Sequence, residues 1–240
     1  MSEYTTDTFF DGQISVTQES TGYRFSIDPI LLAWHARPAP GDKILDLGTG
    51  CGIIPLMLAY RNPETIITGI EIQPSLAKTA ALNIKENNMG DRIKSICCNM
   101  KNINQSDTGG PVDLIVSNPP YRKTNSGRVN PNQQKAIARH EIEITINEIM
   151  ETSRSMLRTM GKFITIYPAE RSIDLLAAMR KAGIEPKMLR TIHSYENTEA
   201  VLIIAEGVKR GNPGIKIMPP LIIYKAEDVY SDEVKKMYIP

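Results

Sequence analysis

The chain has 240 residues, with 28 Lys and Arg against 27 Asp and Glu, a formal net charge of +1. That balance excludes a global cationic field, so any nucleic-acid surface has to be local. Hydrophobic content of 41% and charged content of 23% are ordinary for a globular chain, and the length suits one domain with an appendage. The three cysteines, Cys51 and the adjacent Cys97 and Cys98, fit neither a disulfide framework nor zinc spacing. They read as reduced thiols of a cytoplasmic protein, and no metal site is expected. The N-terminus has no charged-then-apolar leader and no apolar run reaches membrane-spanning length, so no membrane association is expected.

In chain order, residues 1–40 form an N-terminal segment. Asp28 reads as a helix cap with Pro29 at the first helical position, leading into Ile30–Trp34. Pro38-Ala39-Pro40-Gly41 is a turn before the strand-like run ending Ile44-Leu45-Asp46-Leu47. Strands and helices then alternate. Thr65–Ile70, Ile93–Cys98, Val112–Ser117 and Gly161–Tyr167 read as strands. Ile53–Tyr60, Pro74–Asn88, Ile142–Met160 and Arg171–Lys181 read as helices. Lys187–His193 and Ala200–Glu206 are joined by six residues, short enough for a hairpin. This pattern predicts an α/β fold: a mostly parallel seven-stranded sheet closed by an antiparallel hairpin, with helices on both faces. The core spans 41–207. Residues 208–240, with Leu221–Tyr224 extended and Asp232–Tyr238 helical, form an extension packed on it.

Two stretches carry the chemistry. Gly48-Thr49-Gly50-Cys51-Gly52 follows the first core strand and opens a helix, the arrangement of a nucleotide-binding half-site. Glu71 ends the second strand, 19 residues after Gly52, where a carboxylate can accept hydrogen bonds from both ribose hydroxyls of an adenosine. Ile72, next to it, counts in the same site. Asp46 can cap the turn and hold a cationic amino group. Asn99 offers an amide to a base edge and Met100 a polarizable face, both just past the third strand.

Asn118-Pro119-Pro120-Tyr121 follows the fourth strand directly. Average residue frequencies place this tetrapeptide by chance in about one chain in a thousand of this length. Prolines there stop the strand and fix a rigid tip. The Asn118 side-chain oxygen and the Pro119 carbonyl can hold the two hydrogens of an amine whose lone pair is delocalised. That aims the lone pair at an electrophilic methyl, while Tyr121 stacks on a planar substrate. From Arg122 to His140 the chain carries Arg122, Lys123, Arg128, Lys135, Arg139 and His140 with no acidic residue, a local field suited to phosphates.

These elements, in this order, resemble the class I S-adenosylmethionine-dependent methyltransferases with an NPPY loop, over residues 14–205. Tyr23-Arg24-Phe25-Ser26-Ile27-Asp28-Pro29 and Tyr230-Ser231-Asp232-Glu233 extend the resemblance to the bacterial family that methylates N6 of adenine-37 in valine tRNA. The resemblance implies S-adenosylmethionine as cofactor, bound by the glycine loop and Glu71, with adenine held by Asn118 to Tyr121. It implies a tRNA substrate, and leaves monomer and homodimer both open. Many members carry an acid where this chain has Asn99. The alternative is a protein glutamine N5-methyltransferase of the release-factor type. Such enzymes carry a helical recognition domain ahead of the core, and about 40 residues leave no room for one. A DNA adenine methyltransferase lacks an evident target-recognition domain here. A cofactor-binding module without catalysis, or a nicotinamide dehydrogenase, leaves the NPPY stretch unexplained.

Overall fold

The computed structural model describes residues 4–19, 26–119 and 145–239. An N-terminal hairpin, β1 (Tyr4–Phe9) and β2 (Ile14–Glu19), precedes α1 (Asp28–His35). The core then runs β3 (Lys43–Leu47), α2 (Ile53–Arg61), β4 (Ile66–Glu71), α3 (Pro74–Glu86), β5 (Ile93–Cys97) and β6 (Val112–Ser117). It continues through α4 (Ile146–Met156), β7 (Leu157–Pro168), α5 (Ser172–Lys181), β8 (Ile184–His193) and β9 (Ala200–Lys209). The extension adds β10 (Lys216–Ile217), β11 (Leu221–Ile222), β12 (Tyr224–Ala226), β13 (Val229–Tyr230) and α6 (Asp232–Lys236).

The seven core strands lie in the order β5-β4-β3-β6-β7-β9-β8. The pairs β5-β4, β4-β3, β3-β6 and β6-β7 are parallel, whereas β9 runs antiparallel to both β7 and β8. The alternating pattern and the closing hairpin are therefore as expected. The sheet is wider than expected, because β10 and β11 pair in turn along the outer edge of β8 and make nine strands. They cover an edge that would otherwise present unpaired backbone groups.

Both faces of the sheet are buried, so its strands read as continuous apolar runs. Ile44, Leu114, Val116 and Ile164 point into one cluster with Leu31 and Leu56. Leu45, Leu47, Ile115 and Phe163 point into the other with Ile149 and Leu175. Alternate residues on each strand thus build two cores, and α1, α2 and α3 cover one while α4 and α5 cover the other.

Three expectations are corrected. The long helix expected over Ile142–Met160 is helical only over Ile146–Met156 among the described residues. Thr145 and Glu148 form a capping box at its start. Its end is set by the sheet: Leu157, 1% exposed, pairs with Val112, and Met160 turns out with φ +62 before Gly161. Pairing and burial override the helical period there. The last helix stops at Lys236, not Tyr238. The hairpin β1–β2 was not expected, since its turn uses Phe10 and Asp11 at φ +55 and +53 rather than turn-forming residues alone. Phe10 is held there by stacking on Tyr60, centroids 4.7 Å apart.

Two side-chain devices tie the periphery to this core. Asn83 and Asn87 on α3 act as a strand partner for β2. Asn87 Oδ1 and Nδ2 bond the Ser15 N–H and C=O, and Asn83 Oδ1 and Nδ2 bond those of Thr17, all within 2.7–2.9 Å. Arg190 on β8 joins both ends of the chain. Its guanidinium reaches His35 Nε2 at 2.8 Å, both Glu233 oxygens at 2.8 and 2.9 Å, and the Pro219 carbonyl at 2.9 Å.

Candidate active site

Ligands of open parallel sheets bind outside the carboxyl ends of the strands, where the strand order reverses. Here that point is β3, flanked by β4 and β6. Asp46 and the glycine loop leave β3, Glu71 and Ile72 end β4, Asn99 follows β5, and Asn118 and Pro119 follow β6. The topology brings all of them to one edge. Pro120, Tyr121, Arg122, Lys123, Arg128, Lys135, Arg139 and His140 lie outside the described residues.

The glycine loop is folded back onto β4. The N–H groups of Gly48 and Thr49 both donate to the Ile70 carbonyl at 2.9 Å. Gly48, Gly50 and Gly52 have φ of +82, +57 and +87, which side chains with a Cβ adopt at a cost. A Cβ on Gly48 or Gly50 would meet nothing within 4 Å, so open space lies in front of that backbone. At Gly52 a Cβ would sit 3.3 Å from Ala80 Cβ, so this glycine also lets α2 pack on α3. No acidic side chain occupies the first turn of α2, which leaves its positive end uncompensated.

Glu71 is 5% exposed and does more than its position at the strand end suggested. One carboxylate oxygen accepts from Gly50 N and the other from Gln73 N, each at 2.9 Å. The carboxylate clamps the loop, and each oxygen keeps a further acceptor site. Glu71→Gln keeps one acceptor but replaces the other with a donor facing an N–H. We expect roughly fivefold weaker cofactor binding by calorimetry, from a loss of about 1 kcal/mol. Unchanged affinity would show that the clamp does not shape the cofactor site.

Asp46 is fully buried, and neither of its oxygens has a hydrogen-bond partner among the described residues. Burial raises its pKa to about 7, the nearby Thr49 hydroxyl pulls it back in part, and the Glu71 charge raises it. An isolated buried carboxylate is costly, and an ammonium group beside it would remove the cost. The donor set therefore fits a cofactor with a cationic amino group. Cys51, by contrast, is inert: burial pushes its thiol up to about 11.

Beneath the loops, two hydroxyls join three strand ends. The Ser117 hydroxyl donates to the Leu47 carbonyl at 3.0 Å, and the Thr165 hydroxyl donates to the Ser117 carbonyl at 2.8 Å. Both residues are 0% exposed. The carbonyls they hold belong to the peptides that lead into Gly48 and Asn118. Asn83 reaches the same loop from below through Cys51 O at 2.8 Å. Sequence reasoning missed these three residues; the only signal for Asn83 was its i,i+4 spacing with Asn87. Thr165→Val, which removes the hydroxyl that holds the Ser117 carbonyl, should slow the reaction about tenfold by loosening Asn118, with cofactor affinity unchanged. Single-turnover rates and calorimetry on one preparation would test this, and equal rates would reduce the hydroxyl to packing.

Two expected adenine contacts have other duties here. The Asn99 side-chain oxygen caps a short 3-10 turn by accepting from Lys101 N at 3.0 Å, which leaves its NH2 to offer. Met100 is 4% exposed and sits in the second core cluster. Asn118 is half-buried and Pro119 buried. Among the described residues no cluster of His, Cys, Asp or Glu is placed to hold a metal, and no helix is long and apolar enough to cross a membrane.

The strand order, the glycine loop at its switch point and the Asn-Pro exit from the adjacent strand define a Rossmann-like class I methyltransferase. The family model for the methyltransferase small domain matches residues 29–182, and the chain belongs to that family. A protein of Flavobacteriaceae bacterium strain 3519-10 is 30% identical over 227 residues, 93% of each chain, and is named tRNA1(Val) (adenine(37)-N6)-methyltransferase. A Porphyromonas gingivalis W83 protein of the same name is 30% identical over 244 residues, 98% of this chain and 94% of that one. Solved structures share the fold at lower identity. A predicted O-methyltransferase of Agrobacterium tumefaciens superposes with a TM-score of 0.70 at 18% identity, covering 88% of this chain and 95% of that one. TYW2 of M. jannaschii in complex with AdoMet gives 0.58 at 14% identity, covering 87% and 86%.

Proposed function

We propose that this enzyme uses S-adenosylmethionine to methylate the exocyclic N6 amine of an adenine in tRNA, acting at the edge formed by β3, β4 and β6. The observation that carries the reading is the register Leu47↔Ser117, which sets the two loops on neighbouring strands. Strands in a sheet lie about 4.8 Å apart, so a group held by the glycine loop and one held by Asn118 are within reaction range. The names of the full-length relatives support the choice of tRNA and adenine.

When bound, the cofactor supplies an electrophilic methyl on a sulfonium sulfur. Asp46 would hold its ammonium, the uncompensated end of α2 would suit its carboxylate, and Glu71 would accept from its ribose hydroxyls. Ile72 and the Asn99 amide would line the place of its adenine. The Asn118 side-chain oxygen and the Pro119 carbonyl each accept one hydrogen of the target amine, which points its lone pair at the methyl. Once the nitrogen is alkylated and acidic, one of those two hydrogens passes as a proton to solvent water, so no strong base is needed. Tyr121 stacks on the flipped adenine, and the cations from Arg122 to His140 meet phosphates. Flipping costs least for a base already in a loop, which favours an anticodon loop over a duplex. The segments 1–40 and 208–240 act as one unit with the core, joined through Arg190.

The competing acceptor is a glutamine amide on a protein. Incubation of the enzyme with labelled cofactor and an extract containing both tRNA and protein separates the two. The reading requires label that ribonuclease releases and protease does not; the reverse pattern would replace it with the glutamine reaction.

A further inference from the structure

A second charged site lies at the opposite end of the sheet. The C-terminal turns of α4 and α5 and the end of β9 enclose an open cavity of about 570 Å³. Its lining includes Arg154, Arg180, Lys181, Lys209 and Arg210, with Glu151 the one acid among its lining residues. That is five cations against one carboxylate, in a chain whose net charge is +1. Arg180 pairs with Glu185 at 3.2 Å, and the Lys209 ammonium donates to the Leu157 carbonyl at 2.5 Å. Arg154, Lys181 and Arg210 have no carboxylate partner among the described residues.

Cations in the last turns of α4 and α5 suit the helix dipoles, and that accounts for Arg154, Arg180 and Lys181 one helix at a time. It does not account for their convergence with Lys209 and Arg210 from a third element. Arg210 is held in place by a left-handed backbone, φ +58, and by its N–H donating to the Gly183 carbonyl at 2.9 Å. The like charges act on one another: the Lys209 pKa is lowered, by burial first and then by Arg210 and Arg154. A phosphate in the cavity would relieve that repulsion and accept from several donors at once.

We propose that this cavity binds backbone phosphates of the RNA substrate remote from the methylated base, and that it anchors the body of the tRNA while the crevice holds the loop. The proposal rests on the tRNA reading above. Leu157, whose carbonyl holds Lys209 beside the cavity, and Thr165, beneath the crevice, pair with Val112 and Ser117, five residues apart on β6, so about 17 Å of strand separates the two sites. With the loop seated in the crevice, the short stem of a minimal anticodon stem-loop brings few phosphates to the cavity, whereas a whole tRNA carries its body past it.

The test compares the wild type with Arg154→Gln/Lys181→Gln and with the triple variant that adds Arg210→Gly, which suits the left-handed backbone. Binding of full-length tRNA and of the stem-loop is followed by fluorescence anisotropy across a salt series, with melting temperatures as a folding control. The double variant, made only at exposed positions, decides the matter if the triple variant melts early. Full-length tRNA should bind about tenfold or more weakly, with a salt slope reduced by about 0.7–0.9 for each lost contact. Stem-loop binding and cofactor affinity should not change. Equal loss on both RNAs, or no loss on either, would overturn the proposal while leaving the methylation reading intact. So would unchanged tRNA affinity with a pyrophosphate-dependent rise in melting temperature that the variants lack, which would assign the cavity to a free anion. A wild type that binds tRNA at the cavity but methylates only protein would instead sink the methylation reading alone.

Discussion

Asn118→Ala is expected to slow single-turnover methyl transfer about a hundredfold or more, with cofactor affinity unchanged within about twofold. The size follows from what the side chain does. An exocyclic amine conjugated to a purine is a poor nucleophile, and reaction depends on holding it in a near-attack geometry. With one of two acceptors gone, the amine rotates and its lone pair leaves the line of transfer. The glycine loop, Glu71 and the Ser117–Leu47 bond lie on other atoms, so the cofactor site persists. Tyr121→Ala should lose base stacking worth about 1–3 kcal/mol, and the two defects should be non-additive because both act on one bound base. Rapid-quench methyl transfer to a tRNA anticodon stem-loop, for both single variants and the double, measures this. A parental rate for Asn118→Ala would remove the role assigned to that loop.

Asp46→Asn is expected to move stability and binding in opposite directions. The folded protein holds the Asp46 proton to about pH 7, whereas an unfolded aspartate releases it near 3.8. Between those values the folded state binds more protons than the unfolded state, so protonation stabilises the fold. The contribution from this group is full below pH 4, falls as pH rises toward 7, and stays lost above it. Asparagine carries no charge to bury. At pH 8 the variant without cofactor should therefore melt higher than the parent, and its melting temperature should depend less on pH between 4 and 7. Cofactor affinity should fall roughly 10- to 150-fold at pH 8, the range for hydrogen bonds to a charged group. In the parent, affinity should strengthen as pH rises through 7; in the variant it should not. A variant both less stable at pH 8 and equal in affinity would mean that Asp46 only caps the turn.

The parts of this molecule that were legible in the sequence are those where one local cause dominates. Gly48, Gly50 and Gly52 need positive φ, and no other residue type supplies it cheaply. Leu114-Ile115-Val116 is apolar without alternation because both faces of β6 are covered there. Two prolines after a strand can only end it. What stayed hidden depends on partners far along the chain. Leu157 continues the helical period of α4, but Val112 draws it into the sheet 45 residues away. Asp11-Gly12 is ordinary turn chemistry, but Phe10 joins it at positive φ because Tyr60 receives the Phe10 ring. Asn83 and Asn87 look like solvent-facing helix residues until β2 lies against them. Met100 is a candidate stacking face by position and a core residue by packing. Glu71 was legible as a strand-end carboxylate, while its clamp on Gly50 required the loop to be folded first.

The central claim is that adenine N6 in tRNA receives the methyl group. Purified enzyme, S-adenosylmethionine and tRNA lacking this modification should be combined, and the RNA digested to nucleosides for mass spectrometry. The account predicts N6-methyladenosine appearing with time, abolished by Asn118→Ala. No methylated adenosine, or methyl on another nucleoside or only on protein, would contradict it.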